Sequence, residues 1–428
     1  MRARPLLLVA LSGAVALLLW DYAGFQAHAL AHLSSTGDFS VMWRTAHTFA
    51  AEGYRLPPAG STGLVYDGAY PVYPPTFFLL LLPISSLPLA TASVAWLVLL
   101  QAAVAATIAV IYVGIGRPSL SEALVGGILV LALVPLRIAD LDGQVSPLLA
   151  VLAAAALLAT QHRARVLGGA LVGLAIAIKL WPALLLAYFA WRRQWGVLVG
   201  AGGCLVALVL ATLALGWGGR WLHYPATLAA LRFQPGAAGD HSIVGAASRL
   251  LTGRTTAAAA GAPAVSLLAL VLGVLLVLAA AAAIHRLGTR DRLNQWIGFG
   301  LLLAVSPVVL PFAWIHYWVL AVVLLVAAVR AGRLERLGTA ATLQLVVAYT
   351  LLEAAYFLAY ALVDADPSRR PALLWASVGV PLACALLVGA VWSMRTGSAP
   401  GRGQGEGEAA AGGEAGGTTR WARKYSRL

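Results

Sequence analysis

The chain has 428 residues, of which 61% are hydrophobic and 11% charged, and its mean hydropathy is +0.85. A soluble domain is about 45–50% apolar and about 25% charged, so this composition excludes an ordinary soluble protein and indicates one that crosses a membrane many times. The formal charge of +13 comes from short basic clusters between apolar runs. That arrangement is typical of membrane topology and argues against a nucleic-acid partner.

The first apolar segment predicts a spanning helix that begins in the cytoplasm. Residues 1–5 supply a basic flank, and the apolar run ends at Trp20. The stretch 27–29 resembles a signal-peptidase site, but it lies well beyond the apolar run, so we favour an uncleaved anchor. Both alternatives place Asp38 outside the cytosol.

Residues 25–75 are polar, aromatic and rich in proline, which predicts a large first extracytoplasmic loop. Within it, 39–52 has helical spacing and is expected to lie along the membrane interface. The proline-rich stretch 70–75 predicts an extended return, because proline disfavours helix at the residue before it. The apolar stretch 76–87, broken by Pro83, predicts a re-entrant or interfacial piece.

The apolar runs that follow predict the remaining membrane segments. Residues 166–191 could form one span, but that topology would put Arg192 and Arg193 outside, against the positive-inside rule. We therefore expect two half-helices that meet near Lys179 and Pro182, a break that membranes tolerate where it lines a cavity. Further spans are expected at 89–115, 120–136, 145–160, 195–215, 263–284, 293–312, 314–330, 340–363 and 372–394.

The predicted fold is an all-α polytopic membrane protein with about twelve crossings and both termini in the cytoplasm. The basic residues then fall on cytoplasmic loops and most acidic residues on outer loops, as the positive-inside rule requires. Residues 1–395 form the membrane domain. Residues 396–428, rich in glycine, alanine and glutamate, predict a disordered cytoplasmic tail.

Metal and nucleotide chemistry have no motif in this sequence. Cys204 and Cys384 lie in separate apolar runs, as buried small hydrophobic residues do. HExxH, CxxC and a phosphate-binding glycine loop are absent from the sequence, so we expect neither a metal nor a cofactor.

Ionisable and polar side chains from five separate segments are predicted at the outer membrane level. An ammonium group at a half-helix tip, such as Lys179, is unfavourable unless it is paired or used, and the same holds for the carboxylate of Asp38. Three of these residues also have less specific interpretations. Arg137 could simply pair with Asp140, and Arg44 could extend towards the headgroups. His316 could be a histidine of the aromatic belt at the membrane interface. The complete set is Asp38, Arg44, Arg137, Asp140, Asp142, Gln144, Lys179, His241, Ser242, Arg249 and His316.

Glycosyl transfer from a lipid-phosphate sugar would use such a set. The acceptor hydroxyl is a weak nucleophile and needs a carboxylate base, for which Asp38 is the candidate. The leaving polyprenyl phosphate is anionic, so cations must stabilise the charge on its bridging oxygen. Lys179, Arg137 and Arg44 are the candidate phosphate-binding residues.

The order of several short motifs resembles glycosyltransferase family 87, the polyprenol-phosphate-mannose-dependent α-mannosyltransferase-like proteins of the GT-C class. The matching stretches are Gly37-Asp38-Phe39, Glu52-Gly53-Tyr54, Tyr73-Pro74-Pro75, Asp142-Gly143-Gln144, Gly173-Leu174-Ala175, Lys179-Leu180-Trp181-Pro182, Ser306-Pro307 and Trp314-Ile315-His316-Tyr317.

The resemblance implies a GT-C-type bundle and an inverting, extracytoplasmic transfer of mannose or another sugar from a polyprenyl-phosphate donor to a lipid-linked or cell-envelope glycan. It places the catalytic aspartate at Asp38 and a catalytic histidine at His316. Where the family often has Asn-x-Ser, this chain has Asp240-His241-Ser242, which leaves the role of that loop open. The expected substrate-binding residues are Asp142, Gln144, Tyr73, His241, Ser242 and Trp314.

A secondary transporter or flippase of a lipid-linked or anionic substrate is the main alternative, since broken helices with an intramembrane lysine also suit transporters. The absence of a visible sequence repeat and the clustering of charges at one level argue against it. An inactive membrane scaffold is a third possibility.

Overall fold

The computed structural model describes residues 3–35, 37–51, 73–230, 239–252, 261–289, 291–361 and 370–395, and every secondary-structure element in these ranges is helical. The helices are α1 (Ala3–Leu33), α2 (Asp38–Ala51), α3 (Pro75–Ser85), α4 (Leu89–Ile115), α5 (Leu120–Leu131), α6 (Val134–Asp142), α7 (Ser146–Gln161), α8 (Arg165–Ile178), α9 (Leu184–Trp191), α10 (Trp195–Ala214), α11 (Gly218–Ala230), α12 (Ile243–Thr252), α13 (Pro263–Leu287), α14 (Arg292–Val305), α15 (Val322–Arg333), α16 (Thr339–Ala361) and α17 (Arg370–Ser393). Three 3₁₀ segments, Trp181–Ala183, Ser306–Val309 and Ile315–Ala321, connect some of them.

Five described segments are long and apolar enough to cross a membrane, and a sixth is obtained if α5 and α6 count as one bent span. This confirms a membrane protein of many apolar helices, while the number of twelve crossings stays a prediction. The five segments are Leu8–Leu33, Leu89–Ile115, Trp195–Ala214, Pro263–Leu287 and Ile315–Arg333.

The helices divide into an inner core and a lipid-facing periphery. The Ile315–Arg333 segment is 89% buried over its most apolar window, whereas the more apolar α13 is 22% buried. An apolar helix without protein around it is stable only in a membrane, so α13 indicates a lipid-facing side of the bundle. The inner segment begins at the turn that carries His316.

The break predicted in 166–191 is confirmed. α8 ends at Ile178, Lys179 is extended with φ −150° and ψ 135°, and a 3₁₀ turn containing Pro182 leads into α9. α8 is packed tightly on α10, since a Cβ on Gly169 would lie 2.1 Å from the backbone oxygen of Val197. Small residues let helices approach this closely, and the contact fixes the position of the α8 end that carries Lys179.

Three predicted spans have different boundaries in the structure. The first, whose apolar run was expected to end at Trp20, continues as α1 to Leu33 and so includes the beginning of the predicted loop 25–75. The segment predicted at 120–136 ends at Leu131, and the chain bends by 54° into α6, where Pro135 occupies the first turn. The segment predicted at 293–312 ends as an α-helix at Val305, because Pro307 directs the chain into a 3₁₀ turn. The other described predicted spans agree with the observed helices within a few residues.

The helix predicted at 39–52 is confirmed as α2. Glu52-Gly53-Tyr54, the stretch 70–72 and the predicted tail 396–428 lie outside the described residues.

The helix ends remote from Asp38 are joined by ion pairs. Glu122 at the start of α5 contacts Arg330 at 2.9 Å and Arg333 at 2.5 Å near the end of α15. Ser119 and Glu122 also form a capping box at the start of α5. These contacts stabilise the bundle at the end remote from Asp38.

Candidate active site

Asp38 lies at the start of α2, directly after α1 and a short turn. Its Oδ2 accepts a hydrogen bond of 2.5 Å from Nε2 of Gln144, and Oε1 of Gln144 accepts one of 3.0 Å from the hydroxyl of Tyr73. Gln144 is 4% exposed, so this amide connects a base candidate and a phenol inside the protein. Three predicted site residues from distant parts of the sequence therefore form one chain of hydrogen bonds.

The backbone that delivers Gln144 is a tight left-handed turn. α6 ends at Asp142, and Gly143 adopts φ +68°, a conformation that favours glycine. A Cβ at this position would lie 2.5 Å from the Cβ of Phe39, so a side chain has no room there. Trp96 holds the turn by donating to the Gly143 carbonyl at 2.8 Å and stacks on Phe39.

Burial raises the pKa of Asp38 above its usual value, while the hydrogen bond from Gln144 and the positive charges of Lys179 and His32 lower it. The neighbouring Asp142 is close enough to feel the charge of Asp38. A half-buried carboxylate that is stabilised by an amide and a cation can accept a proton from a hydroxyl.

Lys179 is the cation of this site. Its Nζ lies 4.3 Å from the centroid of the Tyr317 ring and 5.4 Å from that of Tyr73. Trp181 stacks on Tyr317 with 6.0 Å between ring centroids. Both aromatic faces stabilise an ammonium group that has no ion pair with a carboxylate among the described residues. Lys179 can therefore bind an anionic ligand group.

Two buried imidazoles lie near each other, and one of them, His316, is also close to Lys179. His316 is 3% exposed and its ring is edge-to-face with Tyr317 at 4.9 Å. His241 is fully buried and, like Lys179, close enough to His316 for electrostatic interaction. Both ring nitrogens of His241 and the Nε2 of His316 lack a hydrogen-bond partner among the described residues.

The loop that carries His241 is fixed to the turn before His316. The backbone N–H of His241 donates to the carbonyl of Ala313 at 2.8 Å, and Oδ1 of Asp240 accepts from the N–H of Ala313 at 3.1 Å. Burial, together with the charge of Arg249, lowers the pKa of His241 to about 3. His241 is therefore neutral at physiological pH.

Four of the predicted residues have other surroundings. Arg137 forms an ion pair of 2.6 Å with Asp21 of α1 and does not pair with Asp140. Arg44 is exposed on α2. The hydroxyl of Ser242 accepts from the N–H of Gly245 at 3.0 Å, as a helix cap does. Trp314 is half-buried and edge-to-face with Phe312.

Tyr317 and Trp181 were not predicted as site residues. Both lie within stretches that carry the family resemblance, directly beside His316 and Lys179, and this proximity is the signal that could have found them. Thr76 was also missed. Its hydroxyl donates a hydrogen bond of 2.7 Å to the Ala177 carbonyl, and this bond connects α3 to the end of α8.

The sequence model described as Glycosyltransferase family 87 matches residues 72–311, more than half of the chain. The chain belongs to glycosyltransferase family 87. The matched range includes Tyr73, Gln144, Lys179 and His241, whereas His316 lies just beyond its end and Asp38 lies well before its start. Membership of this family makes the protein a membrane glycosyltransferase, so the transporter alternative is not supported.

No curated protein matches the sequence. Among solved structures, the chain is similar to ArnT from Cupriavidus metallidurans in the apo state, with a TM-score of 0.42 and 14% sequence identity. That similarity covers 90% of this chain and 78% of the ArnT chain.

Proposed function

We propose that the protein transfers a sugar, in the first instance mannose, from a polyprenyl-phosphate donor to a hydroxyl of a lipid-linked or cell-envelope glycan. The proposal includes a GT-C-type bundle with its active site on the extracytoplasmic side of the cell membrane and both termini in the cytoplasm. The observation that supports it best is the arrangement of Asp38, held by Gln144, beside Lys179, which contacts aromatic rings and forms no ion pair with a carboxylate of the described residues.

In the proposed reaction, Asp38 takes the proton of the acceptor hydroxyl as the acceptor oxygen attacks the anomeric carbon of the donor. The bond between that carbon and the phosphate oxygen breaks, and polyprenyl phosphate leaves with the electron pair. Attack from the face opposite the leaving group inverts the anomeric configuration, so a β-linked donor gives an α-linked product. Base catalysis of this kind contributes about 10²–10⁴-fold to a rate.

Lys179 stabilises the negative charge that grows on the bridging oxygen of the phosphate. A charge held in a dry site acts more strongly than one in water, which favours a lysine that is already packed between rings. No metal is required in this scheme, because the ammonium group supplies the positive charge.

The histidines and Asp142 are proposed to bind the sugar. A buried polar atom generally has a hydrogen-bond partner, and sugar hydroxyls can donate to or accept from the ring nitrogens of His316 and His241. Asp142 can accept hydroxyl hydrogen bonds beside the base. Trp314 offers an aromatic face of the kind on which sugar rings pack.

The test is transfer by the purified full-length protein in lipid nanodiscs, with radiolabelled polyprenyl-phosphate mannose as donor and octyl α-mannoside as acceptor. We expect an α-linked product by NMR, and a loss of about 10²–10⁴-fold in kcat for Asp38→Asn. Glu335→Gln removes an exposed carboxylate at the other end of the bundle and is the matched control. Full activity of a folded Asp38→Asn variant would eliminate the proposed base, and a β-linked product would eliminate inversion.

A further inference from the structure

A buried carboxylate next to the candidate site joins three helices and has no part in the proposed reaction. Asp140 of α6 is fully buried. Its Oδ2 accepts hydrogen bonds from the hydroxyl of Tyr22 and, at 2.7 Å, from Nε2 of Gln26, both on α1. The Tyr22 hydroxyl also lies 3.1 Å from Oε1 of Gln101 on α4. Tyr22 and Gln26 are four residues apart, so they share one face of α1.

The two helices that Asp140 joins carry the two partners of the Asp38–Gln144 hydrogen bond. α6 ends two residues after Asp140, and the Gly143 turn then presents Gln144. The backbone oxygen of Asp140 accepts from the Gly143 N–H at 3.2 Å, so the same residue also shapes that turn. Beyond Gln26, α1 continues to Leu33, and Asp38 follows five residues later at the start of α2.

The end of α1 and the turn after α6 are closely packed, so a movement of one helix displaces the other. Leu33 and Phe39 both contact the site where a Cβ on Gly143 would lie, at 2.7 and 2.5 Å. Gly37 is equally confined, since a Cβ there would lie 3.3 Å from the backbone oxygen of Leu141. A rotation or slide of α1 along α6 would therefore move Asp38 relative to Gln144.

We propose that Asp140 is a positioning residue, which with Tyr22 and Gln26 holds α1 and α6 in the register that orients the Asp38 carboxylate towards substrate. The inference rests on the proposed role of Asp38 as base. A buried carboxylate is an unfavourable group to hold with neutral partners only, and the hydrogen bonds from Tyr22 and Gln26 to the Asp140 side chain both connect α6 to α1.

Tyr22→Phe is the mildest test, because it removes the hydroxyl and keeps the ring. Tyr349→Phe is the matched control, since its hydroxyl joins α16 to α5 by a hydrogen bond of 3.0 Å to the Leu129 carbonyl rather than to Asp140. In the transfer assay described above, we expect Tyr22→Phe to lower kcat about 5- to 30-fold with a donor KM within twofold of the parent, as about 1–2 kcal/mol of lost orientation would do. Asp140→Ala should lower kcat further, and Asp140→Asn less than Asp140→Ala.

The pH profile separates positioning from a general loss of stability. The Gln144 hydrogen bond lowers the pKa of Asp38, so a loosened bond should move the acid limb of kcat to higher pH in Tyr22→Phe. The other groups that face Asp38, namely His32, Asp142, Lys179, Tyr73 and Tyr317, are the same in both variants. Tyr349→Phe should leave the acid limb in place.

Two results distinguish a failure of this inference from a failure of the proposed base. If Asp38→Asn is inactive while Tyr22→Phe equals Tyr349→Phe, Asp140 has no positioning role. If Asp38→Asn keeps full activity, the base assignment itself fails. In the Asp38→Asn background, Tyr22→Phe should cause no further loss in the residual rate, because the group it positions is gone.

A measurement without substrate tests the positioning role of Asp140 even if the enzyme does not accept the mannose donor. Amide hydrogen exchange by mass spectrometry reports local opening of the segments that Asp140 is proposed to hold. We expect faster exchange at residues 37–40 and 143–144 in Tyr22→Phe than in Tyr349→Phe. Equal protection of these residues in the two variants would overturn the proposal.

Discussion

The side-chain amide of Gln144 donates to the carboxylate of Asp38 across 106 residues of sequence. The same amide accepts from Tyr73, so its orientation is fixed from the other side. A carboxylate held by a neutral amide keeps lone pairs available for an acceptor hydroxyl, which a carboxylate paired with a bidentate arginine would not. This bond is therefore the part of the site most open to a direct test.

Gln144→Leu should lower kcat about 10- to 100-fold, because a hydrogen bond to a charged group contributes about 1.5–3 kcal/mol. The loss should be in kcat more than in KM for the donor, since the amide contacts the base. Gln161→Leu is the matched control. It removes an amide at the far end of α7 that contacts Gln295 at 2.9 Å, and should leave kcat within about twofold.

The pH dependence of the reaction should follow Asp38. Its pKa is raised above 3.8, so the proton-accepting form is lost as the pH falls through that higher value, and kcat should decrease on the acid side. Because the pKa of His241 is about 3, that residue stays neutral and adds no limb above pH 5. A kcat profile that is flat down to pH 4 would contradict this assignment of the base.

The raised pKa of Asp38 also affects the stability of the folded protein. A raised pKa in the folded state means that the folded protein favours the protonated carboxyl, and this favourable contribution disappears as the pH rises through the folded-state pKa. Asp38→Asn imitates the neutral form, so the midpoint of thermal unfolding at pH 7.5 should equal or exceed that of the parent. A clear decrease would mean that the loss of activity in this variant reflects unfolding.

The sequence was sufficient for the elements that depend on local signals. α4 and the break at Lys179 follow from hydropathy, Pro182 and the distribution of arginines, and the structure confirms both. Asp38 and Gln144 could be placed at one level because each follows the predicted outer end of a span. Their direct contact required the structure, since the bond depends on the left-handed turn at Gly143.

Contacts between apolar helices were beyond the sequence. The run 120–136 is continuously apolar, so hydropathy could not show that the helix bends after Leu131. The sequence suggested Asp140 as a partner of Arg137, and the observed pairing with Asp21 depends on how α1 packs against α6. Residues three apart on a helix can pair, but a partner on a neighbouring helix competes for the same guanidinium group.

Lys179→Met should raise the donor KM about 10- to 100-fold, because it removes a charged contact of about 1.5–3 kcal/mol to the phosphate. kcat should also fall if the ammonium group stabilises the leaving oxygen. Lys179→Arg keeps the charge and should lose less. Arg165→Met is the matched control, since it removes an exposed positive charge at the opposite end of α8. An unchanged donor KM in Lys179→Met would exclude Lys179 from phosphate binding.

Gly143→Ala should destabilise the protein and reduce activity together. An L-residue in the left-handed region loses about 1–2 kcal/mol, and the clash of its Cβ with Phe39 adds about 1–3 kcal/mol of overpacking. Gly202→Ala is the matched control, because a Cβ there meets no atom within 4 Å and alanine is the better helix former by about 1 kcal/mol. Thermal unfolding in the same detergent should therefore shift downwards for Gly143→Ala and upwards or not at all for Gly202→Ala. If Gly143→Ala unfolds like the parent, the turn that presents Gln144 is not confined as the structure indicates.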